Sequence, residues 1–135
     1  MTLGSLKILV FKGKVFSGSG EGAKFIELPW VRKQITEKLG FIPYLGTLNI
    51  KLAKDYVKLK KMLKKAKSIE ISPVKGFCRG RCIKVCLMDN VECAIIIPEI
   101  AGYPEDVLEV IASINLRERF LLKDGDMVKV KITLL

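Results

Sequence analysis

Thr47 and Asn49 stand two residues apart in the run Gly46-Thr47-Leu48-Asn49-Ile50-Lys51-Leu52. Alternate side chains of a strand share a face, so Thr47, Asn49 and Lys51 point one way and Leu48, Ile50 and Leu52 the other, into a core. Neutral oxygen donors of this type suit a hard cation such as Mg2+, which keeps several of its waters. A solvated edge strand would carry the same alternation. A second candidate is Gly18-Ser19-Gly20-Glu21-Gly22. Glycines at alternate positions after a strand expose backbone N–H groups that can converge on a phosphate, although a hairpin loop would look the same. No G-x-x-x-x-G-K-[ST] run is present, which excludes a P-loop. Gly18 to Ala23 formally satisfies G-x-G-x-x-A, but such a turn must open a helix, and Phe25-Ile26-Glu27-Leu28 reads as a strand. A third group is Cys78, Cys82, Cys86 and Cys93, spaced C-x3-C-x3-C-x6-C in a chain without histidine. Structural zinc sites usually show a C-x2-C knuckle, so buried or half-buried free thiols are the expectation.

A chain of 135 residues, half of them hydrophobic, can bury a real core and is expected to form one domain. No apolar run approaches a membrane span, and Met1 to Lys7 lacks the regions of a signal peptide. A cytoplasmic protein with no membrane partner is therefore expected. The net charge of +10 calls for a polyanionic partner such as nucleotide phosphates or nucleic acid. Lys54, Lys58, Lys60, Lys61, Lys64, Lys65 and Lys67 crowd one segment that reads as a solvated helix face.

These residues must be held by elements that the pattern outlines. Leu6 to Phe16 reads as a strand bent near Gly13, followed by the glycine loop and a short strand from Lys24 to Leu28. Pro29 suits a first helical turn, and Val31, Ile35 and Leu39 make a helical stripe that ends at Gly40. A helix is expected from about Asp55 to Ala66 and a strand from Ser68 to Val74. Arg81 to Met88 and Val91 to Pro98 form a hairpin turning at Asp89-Asn90. Helical residues are expected from Pro104 to Ala112, a further turn or helix from Leu116 to Phe120, and a closing strand from Met127 to Leu134. Many short strands with two or three helical insertions describe a mainly β chain, a small β-barrel.

In combination, several stretches are far more specific than any one of them. They are Gly18 to Gly22; Leu39 to Leu52, reading Leu-Gly-Phe-Ile-Pro-Tyr-Leu-Gly-Thr-Leu-Asn-Ile-Lys-Leu; Ala94-Ile95-Ile96-Ile97-Pro98; and Val110-Ile111-Ala112 running into Leu116-Arg117-Glu118 and Leu122-Lys123-Asp124-Gly125-Asp126. With them the chain resembles the archaeal CTP-dependent riboflavin kinases over nearly its whole length. The resemblance implies a six-stranded cradle-loop barrel that transfers the γ-phosphate of CTP to the ribityl hydroxyl of riboflavin, giving FMN and CDP. It implies a single kinase domain, without the N-terminal helix-turn-helix domain that some relatives carry. By the same resemblance Gly18, Ser19, Gly20, Glu21, Gly22, Ala23 and Lys24 cradle the nucleotide phosphates, and Ile114, Asn115, Leu116 and Arg117 hold the cytidine. Thr47 and Asn49 hold Mg2+, Ala101 and Glu109 contact the flavin, and Glu109 is the candidate for orienting or deprotonating the hydroxyl. The chain departs from the family pattern at Ala101, where a threonine is expected, and at Ser113, where a proline is more usual. The second reading is a basic nucleic-acid-binding barrel without catalysis. Against it, the stacking platform of aromatics among basic residues is missing, with Tyr56 the sole aromatic from Lys54 to Lys67.

Overall fold

The computed structural model describes residues 7–18, 20–65, 68–74, 76–88 and 91–134. Among these residues seven strands and four helices follow one another as β1 (Lys7–Phe16), α1 (Glu21–Glu27), α2 (Pro29–Leu39), β2 (Leu48–Leu52), α3 (Lys54–Lys65), β3 (Ile69–Ile71), β4 (Gly80–Leu87), β5 (Val91–Pro98), β6 (Val107–Ile111), α4 (Leu116–Phe120) and β7 (Met127–Leu134). The hydrogen-bonded order is β3-β4-β5-β6-β2-β1-β7, and a further β4–β7 pairing closes six of these strands into an antiparallel barrel, with β3 outside the ring. Closure removes the edges that an open sheet would leave unpaired. The barrel is thus mainly β, as the pattern implies, with four helices in place of two or three.

Two apolar clusters hold the fold. Phe11, Val15, Leu48, Ile50, Ile95, Leu108, Val110 and Val130 fill the barrel interior. Phe25, Ile26, Val31 and Ile35 of α1 and α2 pack with Ile71, Cys82, Ala94, Ile96 and Ile111. Strands β5 and β6 therefore lie between two cores, and all of β6 is buried. A strand buried on both faces loses the period-two alternation that marks a half-buried one. That is why 104–112 reads as helical in the sequence, whereas residues 107–111 are a strand.

The reverse correction applies to residues 24–28. Phe25 and Ile26 have strand-like character, but both are buried against the outer face of the barrel from a helix, α1. Tertiary burial overrides local preference here. The expected 68–74 strand is limited to Ile69–Ile71. Pro29 and Gly40 do what their types predict: Pro29 opens α2, and Gly40 closes it in the left-handed region at φ 83°, its N–H donating to Thr36 O. The Asp89-Asn90 turn and Ala66 lie outside the described residues.

Among the described side chains of the lysine-rich helix α3, Lys54, Lys58 and Lys61 are exposed, but Lys60 is not. Lys60 is 1% exposed, on the same side as buried Leu63 and part-buried Tyr56, which packs on the interior cluster. All four cysteines are free thiols. Burial pushes the Cys82 and Cys93 thiols up to about 12.

Candidate functional site

The site grows from the junction of β1, β2 and β6. In register, Asn49 of β2 faces Phe16 of β1 on one side and Glu109 of β6 on the other. Thr47 directly precedes β2. Because Leu48 and Ile50 point inward, Thr47, Asn49 and Lys51 share the outer face, as the alternation implies. Glu109 lies between inward-facing Leu108 and Val110, so it too points outward, beneath the start of α1.

Glu109 is 2% exposed, and the element that carries it is the strand β6 in place of the helix expected over 104–112. A buried carboxylate must find donors. Glu109 Oε1 accepts from Thr47 Oγ1 at 2.9 Å, while Oε2 accepts from the backbone N–H of Gly22 at 2.7 Å and the hydroxyl of Tyr103 at 2.5 Å. Gly22 is required to be small: a Cβ there would meet Glu109 Oε2 at 2.5 Å. Gly18 is constrained likewise, since a Cβ would stand 2.7 Å from Asn49 Oδ1. The glycines that resemble a phosphate loop thus also let the chain close over the Asn49 and Glu109 side chains. Burial first, and then the Glu109 carboxylate that accepts its hydrogen bond, push the Tyr103 phenol above its ordinary value, so it remains a donor.

The loop after β1 continues through Gly20, in the left-handed region at φ 78°, into α1. The sequence-level reason for excluding a dinucleotide turn, that no helix follows, does not hold. The topology excludes it instead, because among the described residues β1 pairs only with antiparallel neighbours and no βαβ unit exists. Glu21 is half-exposed and Lys24 exposed, 3.8 Å apart in an ion pair, and Ala23 is half-buried. Ser19 lies outside the described residues.

Three clefts adjoin this hub. One of about 210 Å3 lies between the Tyr44–Leu48 run and Ile114, Asn115, Leu116 and Arg117. A second, of about 230 Å3, is bounded by Gly18, Asn49, Tyr103 and Glu109. A third, of about 360 Å3, is lined by residues 97–103, Ala101 included, with Arg81 and Glu105. Thr47 borders the first, Glu109 the second, and Tyr103 both the second and third. The chain Thr47–Glu109–Tyr103 therefore strings the three together.

The wall of the first cleft is locally determined. Asn115 caps α4, its Oδ1 accepting from the Glu118 N–H at 3.2 Å, while its Nδ2 donates to the Tyr44 hydroxyl at 3.0 Å. Arg117 donates to Phe16 O at 3.2 Å and to Asp124 Oδ1 at 2.7 Å, tying the end of β1 to the turn before β7. The Arg117 guanidinium, with the Ser17 hydroxyl, holds the Asp124 carboxyl below the usual carboxylate range.

The structure thus brings together Gly18, Gly22, Thr47, Asn49 and Glu109, sets Ile114 to Arg117 one cleft away beside Thr47, and places Ala101 beyond Tyr103. Sequence reasoning missed Tyr103, Tyr44, Asp124 and Lys60. Only Lys60 left a periodic signal, since Tyr56, Lys60 and Leu63 fall at i, i+4 and i+7.

A hard cation would find the Thr47 hydroxyl and the Asn49 carboxamide here, adjoining the Glu109 carboxylate. Among the described residues no group of three or more acidic, cysteine or histidine side chains forms a dedicated metal cage. Neutral oxygen donors suit a cation that retains water and shares its shell with phosphates, so this donor set fits Mg2+.

Residues 15–132 match the CTP-dep_RFKase family model, described as Domain of unknown function DUF120. A riboflavin kinase of Methanosarcina barkeri is 39% identical over 131 residues, covering 94% of this chain and 58% of the relative. Those of Archaeoglobus fulgidus and Pyrobaculum aerophilum are 41% and 43% identical, over 97% and 90% of this chain and 56% and 60% of their own lengths. The chain belongs to the CTP-dependent riboflavin kinase family. It spans a little over half the length of these curated relatives.

Proposed function

We propose that this chain is a CTP-dependent riboflavin kinase, transferring the γ-phosphate of CTP to the terminal ribityl hydroxyl of riboflavin to give FMN and CDP. The observation that carries the proposal is the buried Glu109 hub, which joins the Gly22 N–H at the start of α1, the Thr47 hydroxyl and Tyr103 at the meeting point of three clefts. A two-substrate transfer needs this layout: one end for the nucleotide base, a middle for the phosphates and another end for the acceptor.

In this reading the cytidine occupies the Tyr44–Leu48 and Ile114–Arg117 cleft. Its phosphates run past Thr47 and Asn49 toward the turn after β1 and the first turn of α1, where the Gly22 N–H is already given to Glu109 and the Lys24 N–H to Gly20 O. Riboflavin enters from the Ala101 side. Ala101 has no hydroxyl, so any contact it makes with the flavin is through its backbone. The ribityl oxygen forms a bond to Pγ as the bond from Pγ to the β,γ-bridging oxygen breaks, the hydroxyl proton is released and CDP departs. Catalysis of this type rests on positioning and charge neutralisation. Thr47 and Asn49 would hold Mg2+, which when bound neutralises phosphate charge. Glu109 has one acceptor direction left after its three donors. That suits it to orient the incoming hydroxyl.

The test is a nucleotide panel. Folded protein with riboflavin, Mg2+ and CTP should form FMN, separable by chromatography, and ATP should substitute poorly. No FMN with any nucleotide would overturn the proposal. Thr47→Ala combined with Asn49→Ala should abolish Mg2+-dependent turnover while leaving the fold intact.

A further inference from the structure

Lys60 projects from a lysine-rich helix, yet among the described lysines of that helix it is the one that the fold buries. Its Nζ donates to Pro104 O at 2.6 Å and also to Val107 O, and it lies 4.9 Å from the centroid of the Tyr103 ring. Burying an ammonium is costly unless its donors are engaged. Here two carbonyls and a ring of one short segment, 103–107, engage it. That segment joins the Ala101 turn to β6, which carries Glu109.

Tyr103 is the next link. Its hydroxyl donates to Glu109 Oε2, the oxygen that also accepts from Gly22 N–H. The terminal torsion of a glutamate is soft, so without the phenol its carboxylate would be fixed only by one donor on each oxygen, Gly22 N–H and Thr47 Oγ1. With it, Oε2 is filled by two donors, and the acceptor direction that remains belongs to Oε1, beside Thr47.

We propose that Lys60 and Tyr103 are positioning residues for phosphoryl transfer. Lys60 fixes the 103–107 segment and the Tyr103 ring, and the Tyr103 hydroxyl sets the orientation of the Glu109 carboxylate between the Gly22 amide at the start of α1 and the Thr47 hydroxyl. This inference rests on the riboflavin kinase reading and adds the support beneath its hub. Neither residue touches a reacting atom. Each acts through Glu109.

The experiment uses the full chain with Lys60→Met, Tyr103→Phe and the double variant. Each single variant should lower kcat by about tenfold, with the nucleotide KM changed by less than about twofold, because the lost feature is orientation and not ground-state binding. Residues acting in series are non-additive, so the double variant should be no slower than the slower single one. A second readout is independent of turnover. The Gly22 amide, followed by NMR hydrogen exchange, should exchange faster in every variant than in the wild type. Tyr103→Phe keeps the ring and removes one oxygen, so it carries the test alone if Lys60→Met does not fold. Unchanged kcat or an unchanged Gly22 amide in Tyr103→Phe, or additive losses in the double variant, would overturn the proposal. A wild type that makes no FMN with any nucleotide sinks the kinase reading instead, and the Gly22 amide still decides whether Lys60 and Tyr103 hold Glu109.

Discussion

At the scale of single residues, the Glu109 contacts make the site intolerant of small additions. Gly22→Ala places a Cβ 2.5 Å from Glu109 Oε2, so either the carboxylate or the start of α1 must move. Overpacking of this sort costs about 1–3 kcal/mol, and we expect a lowered melting temperature together with at least about a tenfold loss of FMN formation. Steady-state kinetics and a thermal melt on the same preparation check both. The buried thiols give a prediction of a different type. Cys82 and Cys93 hold their protons up to about 12, against an ordinary value of 9.0. Between those values the unfolded chain has released protons that the folded one retains. Their contribution to stability is therefore complete below pH 9 and is lost as pH rises toward 12. Urea midpoints at pH 8, 9.5 and 11 should fall along that series, and fall less in Cys82→Ala. Under native conditions at pH 8 a thiol reagent should label Cys78 and Cys86, read by mass spectrometry, and spare Cys82 and Cys93 until urea is added.

At the scale of elements, the helix and strand assignments separate according to what each element touches. The stripe of α2 and its Pro29 and Gly40 termini are local signals, and the structure follows them. Gly40 sits at φ 83° with nothing within 4 Å of an added Cβ, so Gly40→Ala tests conformation alone. It should cost about 1 kcal/mol of stability, seen as a shift in the urea midpoint, with FMN formation unchanged. α1 and β6 behave otherwise. Phe25 and Ile26 favour a strand in isolation, and Val107 to Ile111 shows no alternation. Their states are decided by the barrel wall between them, where α1 lies on the outer surface and β6 is covered on both faces. Glu109 was legible as a residue of interest but not as a buried one, because its burial depends on α1 lying over it.

At the scale of the whole molecule, the barrel closes through a narrow seam. β4 meets β7 at the pairs Cys86↔Lys131 and Leu87↔Val130, whereas β4 and β5 pair continuously from Gly80↔Pro98 to Leu87↔Val91. Leu87 is fully buried at that seam. Leu87→Ala should lower the unfolding free energy by about 2–5 kcal/mol, measured by urea denaturation. It should also raise amide exchange along β4 and β7 more than along β1 and β2. If exchange rises uniformly, the seam is not where the barrel opens.

By itself the sequence determined the alternation of β2, the cap and stripe of α2, the β4–β5 strand pair and the closing strand. Each of these rests on local geometry: a period of two or 3.6, a fixed proline φ, a glycine that accepts positive φ. Only the tertiary structure decided that residues 21–27 are a helix, that 107–111 are a strand, that Lys60 is buried and that Tyr103 completes the ring of donors on Glu109. Those outcomes depend on which surfaces meet across 44 and 87 residues of chain, as in Lys60 to Pro104 and Gly22 to Glu109. Burial and hydrogen-bond satisfaction are properties of the closed barrel, and no window of sequence contains them.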